Sequence, residues 1–343
     1  MDGTPGGATR TEVGATGTEV GATRTEVGAT GTEVGAARTD PRRAPAGVIS
    51  SLVTPFRSDG QVDRGAWATL LDLQAERGVH GLFLLGTAGE GILMTPPERK
   101  EALAFALEHL GGRVPVLAHC GAADTPTACD LARHAASLGV RAEASVAPYF
   151  FAYQGPDLLR HFRAIAEAAP GMGHYIYENP ERVGYSVGVE TVVRLVREVE
   201  NVFGVKDTGD SVGRIGRYLA AEPAVEVYAG NNAVVLPALV VGARGAVSAI
   251  ASACPELVVG LYEAWRAGRL EEAARRQRTL TRLQAALAGL PYLGAIKHLC
   301  RRRGLPGGRC RAPQPDLSDD EARELDRRLD ALEDLRPYLE PVG

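Results

Sequence analysis

Lysine is the residue this chain of 343 amino acids all but avoids. Of 38 basic side chains only Lys100, Lys206 and Lys297 are lysines, and the rest are arginines. Arginine keeps its proton under any ordinary condition, whereas a desolvated lysine can lose it and become an amine nucleophile. Long apolar runs are missing too. The longest, such as "VVLPALVVGA", reach about ten residues, half of what a bilayer-spanning helix needs, so no membrane is expected as a partner. Five cysteines without a CxxC pair argue against a disulfide framework or a zinc finger and suit a reducing compartment. The seven histidines show no H-E-x-x-H or similar ligand spacing, so no metal and no other cofactor is expected. The formal net charge of −4 gives nucleic acid nothing to hold. The opening "MDGTPGGATR" has neither the basic nor the apolar region of a secretory signal, and the expected location is the cytoplasm.

What is present divides at about residue 46. Before it, "TEVGA" recurs at Thr11, Thr18, Thr25 and Thr32, a repeat of seven. A coiled-coil seam needs two apolar positions per repeat and this one offers a single Val, so residues 1–46 are expected to be a disordered, low-complexity tail. After it, short apolar runs alternate with amphipathic ones. The short runs are "GVISSLVTPF", "GLFLLG", "VPVLAHCG", "RAEASVAPY", "HYIYEN", "VFGVKD", "VEVYAG" and "GAVSAI", each bounded by turn residues as strands are. Helical periodicity fills the gaps, as in "DRGAWATLLDLQAERG". Eight such units predict a (β/α)8 barrel over residues 47–267, with an open, doubly wound sheet as the alternative. Residues 268–343 are expected to be helices packed on the barrel. Ser318 and Glu321 form a capping box there, ahead of an apolar face of Leu325, Leu329 and Leu332.

In a barrel the functional groups gather at the carboxyl ends of the strands. Lys206 ends the sixth run, Tyr177 ends the fifth, and "GTAGE" (86–90, with Thr87) follows the second. A lysine there suits Schiff-base chemistry, in which the amine condenses with a ketone and the iminium withdraws electrons from the adjacent carbon. A tyrosine phenol is a suitable proton carrier, and a tight Gly-rich turn offers backbone N–H donors to a carboxylate. Taken alone, a lysine at a strand end is an ordinary solvated residue, Tyr177 an ordinary core tyrosine and Thr87 an ordinary cap. Cys120 and Cys254, in apolar settings, read as core residues.

From about Gly47 to Glu340 the chain resembles the dihydrodipicolinate synthase/N-acetylneuraminate lyase family of pyruvate-dependent class I lyases. The matching stretches are "SLVTPF", "GTAGE", "APYF", "YENPERVG", "GVKDTGD" and "GNNAVVLPALVVGARGAVSAI", in the family's order along the barrel. The resemblance implies an imine on Lys206, proton relay through Tyr177 and Thr87, and a pyruvate contact from the backbone carbonyl of Val247. It also implies small 2-oxo acid and aldehyde substrates and a homotetramer.

Three positions depart from the family pattern. Ala88 replaces the second hydroxyl of the carboxylate-holding turn. Phe150 replaces a tyrosine that, in the synthases, reaches into a neighbouring subunit's site and completes a three-residue relay. Glu178 replaces the usual Asn after the active-site tyrosine. Arg182 matches the arginine that grips the carboxylate of the aldehyde substrate in true synthases, and its planar fork suits a second anionic group. The expectation is reversible cleavage or dehydration of a 4-hydroxy-2-oxo acid. An authentic 4-hydroxy-tetrahydrodipicolinate synthase, an N-acetylneuraminate lyase and an inactive 2-oxo-acid-binding or regulatory protein are the alternatives.

Overall fold

The eight apolar runs form eight parallel strands: β1 Gly47–Ser51, β2 Gly81–Leu84, β3 Val116–Ala118, β4 Ala142–Val146, β5 Gly173–Glu178, β6 Val202–Asp207, β7 Glu226–Ala229 and β8 Gly245–Ser248. Each pairs with the next, and β1 pairs with β8, so the sheet is a closed barrel and the open sheet is excluded. The computed structural model describes residues 40–342; the repeat at 1–39, and the disorder expected of it, lie outside the described residues. The helices between strands are α1 Arg64–Glu76, α2 Pro96–Leu110, α3 Thr125–Ser137, α4 Gly155–Ala168, the single turn α5 Pro180–Val183, α6 Val189–Glu198, α7 Val212–Ala221, α8 Val235–Val240 and α9 Pro255–Arg266. Three more, α10 Leu270–Ala286, α11 Tyr292–Arg302 and α12 Asp319–Asp330, follow the barrel. Side-chain caps start several of them. Asp63 accepts from the Ala66 N–H, and Thr95–Glu98 and Ser318–Glu321 are reciprocal capping boxes. Leu325 and Leu329 of α12 are fully buried.

Parallel strands covered on both faces need apolar side chains in both directions. Val48, Leu82 and Leu84 face the helices, while Ile49, Phe83, Tyr175 and Tyr177 fill the barrel interior. Strict alternation from Phe203, which also points inward, would turn Lys206 outward. It does not, because β6 carries a bulge: His174 pairs with Val202 but Tyr175 pairs with Gly204, leaving Phe203 as an extra residue. Gly204 is required there, since a Cβ would sit 1.9 Å from the Glu226 carbonyl oxygen. After the bulge Val205 faces the helices and Lys206 faces in, next to Tyr177 in the register.

The boundary expected at Ala46 moves toward the N-terminus, because the compact unit begins at Pro41. Residues 42–45 close the floor of the barrel. The Ala44 N–H donates to Tyr175 Oη (2.9 Å) and the Tyr228 hydroxyl donates to the Ala44 carbonyl (3.0 Å). Arg43 pairs with the buried carboxylate of Glu226 at 2.7 Å, and Tyr175 donates to its other oxygen at 2.5 Å. A chain starting at Gly47 is therefore expected to be less stable than one starting at Pro41, by about 2–4 kcal/mol. Thermal melts check this, and equal midpoints would show that the segment does not carry the closure.

Candidate active site

The carboxyl ends of β1, β2, β5, β6, β7 and β8 surround a cavity of about 330 Å³. Thr87, Ala88, Tyr177, Arg182, Lys206 and Val247 all line it, so every site residue expected from the sequence converges on one rim. Lys206 is 5% exposed, and its Nζ lies 3.7 Å from the centroid of the Tyr177 ring and 4.3 Å from that of Phe83. Among the described residues it has no hydrogen bond or ion pair. Ring faces favour an ammonium by up to about 2 kcal/mol, far less than the cost of stripping its water. Burial wins, and holds the Lys206 pKa well below the ordinary 10.5.

The other two lysines differ. Lys100 makes a half-exposed ion pair with Asp130. Lys297, fully buried on α11, is held by Glu90 Oε1 (2.5 Å) and by the carbonyls of Thr54 (2.8 Å) and Arg309 (2.5 Å). Three acceptors make it a structural cation. Its partner Glu90 closes the Gly86–Glu90 turn in the left-handed region, at φ 54°. The Lys297–Glu90 pair thus fixes the turn that borders the cavity.

That turn is tight because its glycines are crowded: a Cβ on Gly91 would meet the Leu85 carbonyl oxygen at 1.9 Å. The N–H of Glu90 bonds back to Thr87 and that of Gly91 to Gly86. The N–H groups of Thr87, Ala88 and Gly89 have no acceptor among the described residues, and Thr87 and Ala88 line the cavity. The cavity wall thus carries two free backbone donors, which suit an anionic group, in spite of the missing hydroxyl at Ala88.

Tyr177 Oη lies 3.1 Å from Thr87 Oγ1 and accepts from Asn179 Nδ2 at 2.9 Å. Burial raises its pKa, and the bonds from Thr87 and Asn179 and the charge of Arg182 oppose that rise. His119, after β3, packs edge-on to the Tyr177 ring; burial, then Arg99 and Lys206, push its pKa well down. Glu178 points out of the barrel. It accepts from the Val187 N–H (2.8 Å) and the Ser186 hydroxyl (2.5 Å), so it anchors the loop that follows α5 and does not enter the cavity. Arg182 on α5 is exposed, carries no side-chain partner among the described residues, and borders both this cavity and a neighbouring one of about 520 Å³. Phe150, 89% exposed at φ 85°, lines only the second.

A family model, the dihydrodipicolinate synthetase family, matches residues 44–332. The chain belongs to that family. It shares its class of chemistry, that of lysine-dependent class I lyases. An uncharacterized DapA-like lyase of Halobacterium salinarum is 37% identical over 283 residues, spanning 82% of this chain and 92% of the relative. The probable 2-dehydro-3-deoxy-D-pentonate aldolase YjhH of Escherichia coli K12 is 34% identical over 266 residues, spanning 76% and 88%. Among solved structures, E. coli YagE in complex with pyruvate superimposes with a TM-score of 0.81 at 29% identity, covering 84% of this chain and 98% of YagE.

Several residues that line the cavity carry no mark in the sequence. Asn179 was hidden inside "YENPERVG". Thr208, Asn231 and Asn232 line the far wall with Gln284 of α10, which accepts from Asn232 Nδ2 at 3.1 Å. Tyr292, at the start of α11, enters from the C-terminal helices, its pKa pushed to about 12 by burial and by Tyr177. No local pattern marks Gln284 or Tyr292, since only packing brings α10 and α11 to the rim. Among the described residues no cluster of three metal-ligating side chains occurs, and no helix is long and apolar enough to cross a membrane.

Two lysine substitutions separate unpaired from paired burial. Lys206→Met is expected to raise stability at pH 7 by about 1–3 kcal/mol, the cost of an unpaired buried polar group. Lys297→Met is expected to lower it by about 3–5 kcal/mol, since Glu90 is left buried without its cation. Because the folded pKa of Lys206 lies below its unfolded value, the unfolded chain binds the extra proton, and stability rises with pH between the two. Melts at pH 7 and pH 9 should show that slope reduced in Lys206→Met.

Proposed function

We propose that the chain is a pyruvate-type aldolase in which Lys206 forms the imine with a 2-oxo acid. The observation that carries this reading is a buried amine without an acceptor, in contact with Tyr177 and beside a turn with two free N–H donors. The neutral amine attacks the C2 carbonyl, and the carbinolamine hydroxyl takes a proton from the Tyr177 phenol and leaves as water, giving an iminium beside a Tyr177 phenolate. The substrate carboxylate takes the Thr87 and Ala88 N–H groups, and Val247 lines the same cavity. The faces of Phe83 and Tyr177, a burden for a free ammonium, suit the iminium cation. Tyr177, backed by Thr87, moves the proton to and from C3.

The wall of Thr208, Asn231, Asn232 and Gln284 offers neutral hydrogen-bonding groups, and Arg182 offers the one free cation among the described cavity-lining side chains. The proposed substrate is a 4-hydroxy-2-oxo acid carrying a second anionic group for Arg182, cleaved to pyruvate and an aldehyde or dehydrated after the same imine forms. The E. coli relative is named for an aldolase of a 2-dehydro-3-deoxy acid, which is of this hydroxylated 2-oxo type. Phe150 has no hydroxyl to complete a three-residue relay, so dihydrodipicolinate synthesis is expected to be weak, by about 10²- to 10⁴-fold. The five cysteines are free thiols, which suits a cytoplasmic enzyme, and a homotetramer is proposed on family likeness.

Pyruvate with borohydride is expected to leave a mass adduct on the "GVKDTGD" peptide, and Lys206→Ala to abolish it. Labelling on Lys297, or none, would refute the reading and leave a 2-oxo-acid-binding protein. Side-by-side assays of 4-hydroxy-2-oxo acid cleavage, N-acetylneuraminate cleavage and aspartate semialdehyde condensation check the substrate class. Arg182→Ala is expected to slow the first through a raised KM, and Phe150→Tyr to help only the condensation. Indifference to Arg182→Ala would remove the anionic group from the proposal.

A further inference from the structure

We infer that Asn179 is a positioning residue for the proton relay: it fixes the direction of hydrogen-bond donation from Tyr177 to Thr87 and supplies, within one chain, the second support for Tyr177 that Phe150 cannot give. This rests on the reading of Lys206 and Tyr177 above. Asn179 is 6% exposed and opens the turn that carries Arg182, its carbonyl accepting from the N–H groups of Arg182 and Val183. Its amide touches two side chains, Tyr177 Oη at 2.9 Å and Thr208 Oγ1 at 3.2 Å.

The amide presents Nδ2 to Tyr177 and Oδ1 to Thr208. The Thr208 hydroxyl has two acceptors within reach, the Glu178 carbonyl (2.9 Å) and Asn179 Oδ1 (3.2 Å). The Glu178 carbonyl already accepts from the Thr208 N–H at 3.1 Å. With two lone pairs that carbonyl also takes the hydroxyl, whose hydrogen is shared with Asn179 Oδ1, and the Asn179 NH₂ group faces Tyr177. Once Tyr177 Oη accepts from Asn179, its own hydrogen points to Thr87 Oγ1, 3.1 Å away. The Thr87 hydrogen is then left to face the cavity. An amide does not release a proton at working pH, so Asn179 orders the relay without carrying charge through it.

The consequence is specific to the step at C3. When the Tyr177 phenolate takes a proton from C3 of the iminium, the C–H bond breaks and a phenol O–H forms. The electron pair moves into C3=C2, and the nitrogen loses its positive charge. The Asn179 bond strengthens in the phenolate, because a donor to an anion holds more tightly than a donor to a neutral oxygen. Losing it should slow the step and raise the pKa of Tyr177. The titratable groups facing Tyr177 are Lys206 on β6, His119 after β3, Arg182 on α5 and Tyr292 on α11. None of these makes a side-chain hydrogen bond to Asn179 that the substitution would remove.

The test uses pyruvate alone, with the full chain. Exchange of the pyruvate methyl protons in D₂O, followed by proton NMR, reads the C3 step; borohydride trapping reads imine formation on Lys206. Asn179→Leu, close in volume, is expected to trap pyruvate on Lys206 but to exchange about tenfold more slowly, with its pH profile displaced to higher pH. Asn179→Asp keeps the shape and an accepting oxygen without the donor, and is expected to be as slow. Unchanged exchange in Asn179→Leu would overturn the inference. So would slowed exchange with an undisplaced pH profile, which is what a purely packing role gives, or full exchange in Asn179→Asp, which would mean that Tyr177 donates to the amide oxygen. If Asn179→Leu melts too low to assay, Thr208→Val, which frees the amide to rotate, is expected to show the same displaced profile, and an undisplaced one would overturn it. Failure of the unmodified chain to trap pyruvate would instead strike the Lys206 reading.

Discussion

The register between β5 and β6 is the constraint on which the site depends. It places Tyr177 directly beside Lys206 and turns both into the barrel. A one-residue slip would send the amine into the helix layer among Val205 and its neighbours. That register holds only because Phe203 is bulged out of the ladder and Gly204 lets β6 approach β7 more closely than any side chain would allow. A small backbone irregularity therefore decides whether the chain has a buried amine in the cavity.

Around this pair the molecule treats burial in two ways. At Lys297 and Glu90 a buried cation and carboxylate satisfy each other and brace the Gly86–Glu90 turn from behind. At Lys206 the same depth comes without any acceptor among the described residues, and burial holds the pKa of the amine well below its ordinary value. One pair stabilises the fold; the unpaired amine costs stability. The floor of the barrel repeats the first solution, with Glu226 held among Arg43, Arg244 and Tyr175.

The departures from the family pattern acquire different meanings in three dimensions. Glu178, whose place was not legible in the chain, faces outward and pins the loop through Ser186 and Val187. Ala88 removes a hydroxyl but leaves the two backbone donors of its turn free. Phe150 stands exposed at the rim of the second cavity, while Asn179, one residue beyond Glu178, bonds the Tyr177 phenol.

Strand number and order, the convergence of Lys206, Tyr177 and Thr87 on one rim, and the caps of α2 and α12 were all legible in the sequence. They depend on local periodicity and on the rule that barrel loops gather at the carboxyl ends of strands. The bulge at Phe203 was not legible, because an inserted residue leaves the apolar run looking uninterrupted. The floor built by residues 42–45 was hidden for a similar reason: Ala44 gains meaning only from two tyrosine hydroxyls more than a hundred residues away. Gln284 and Tyr292 reach the cavity through helices whose own periodicity says nothing about where they dock. Sequence alone determined the scaffold and singled out the lysine proposed as nucleophile, since both are written in short-range patterns. Tertiary structure alone decided which amine is left without a partner and which side chains surround it, because burial and hydrogen bonding belong to the packed chain.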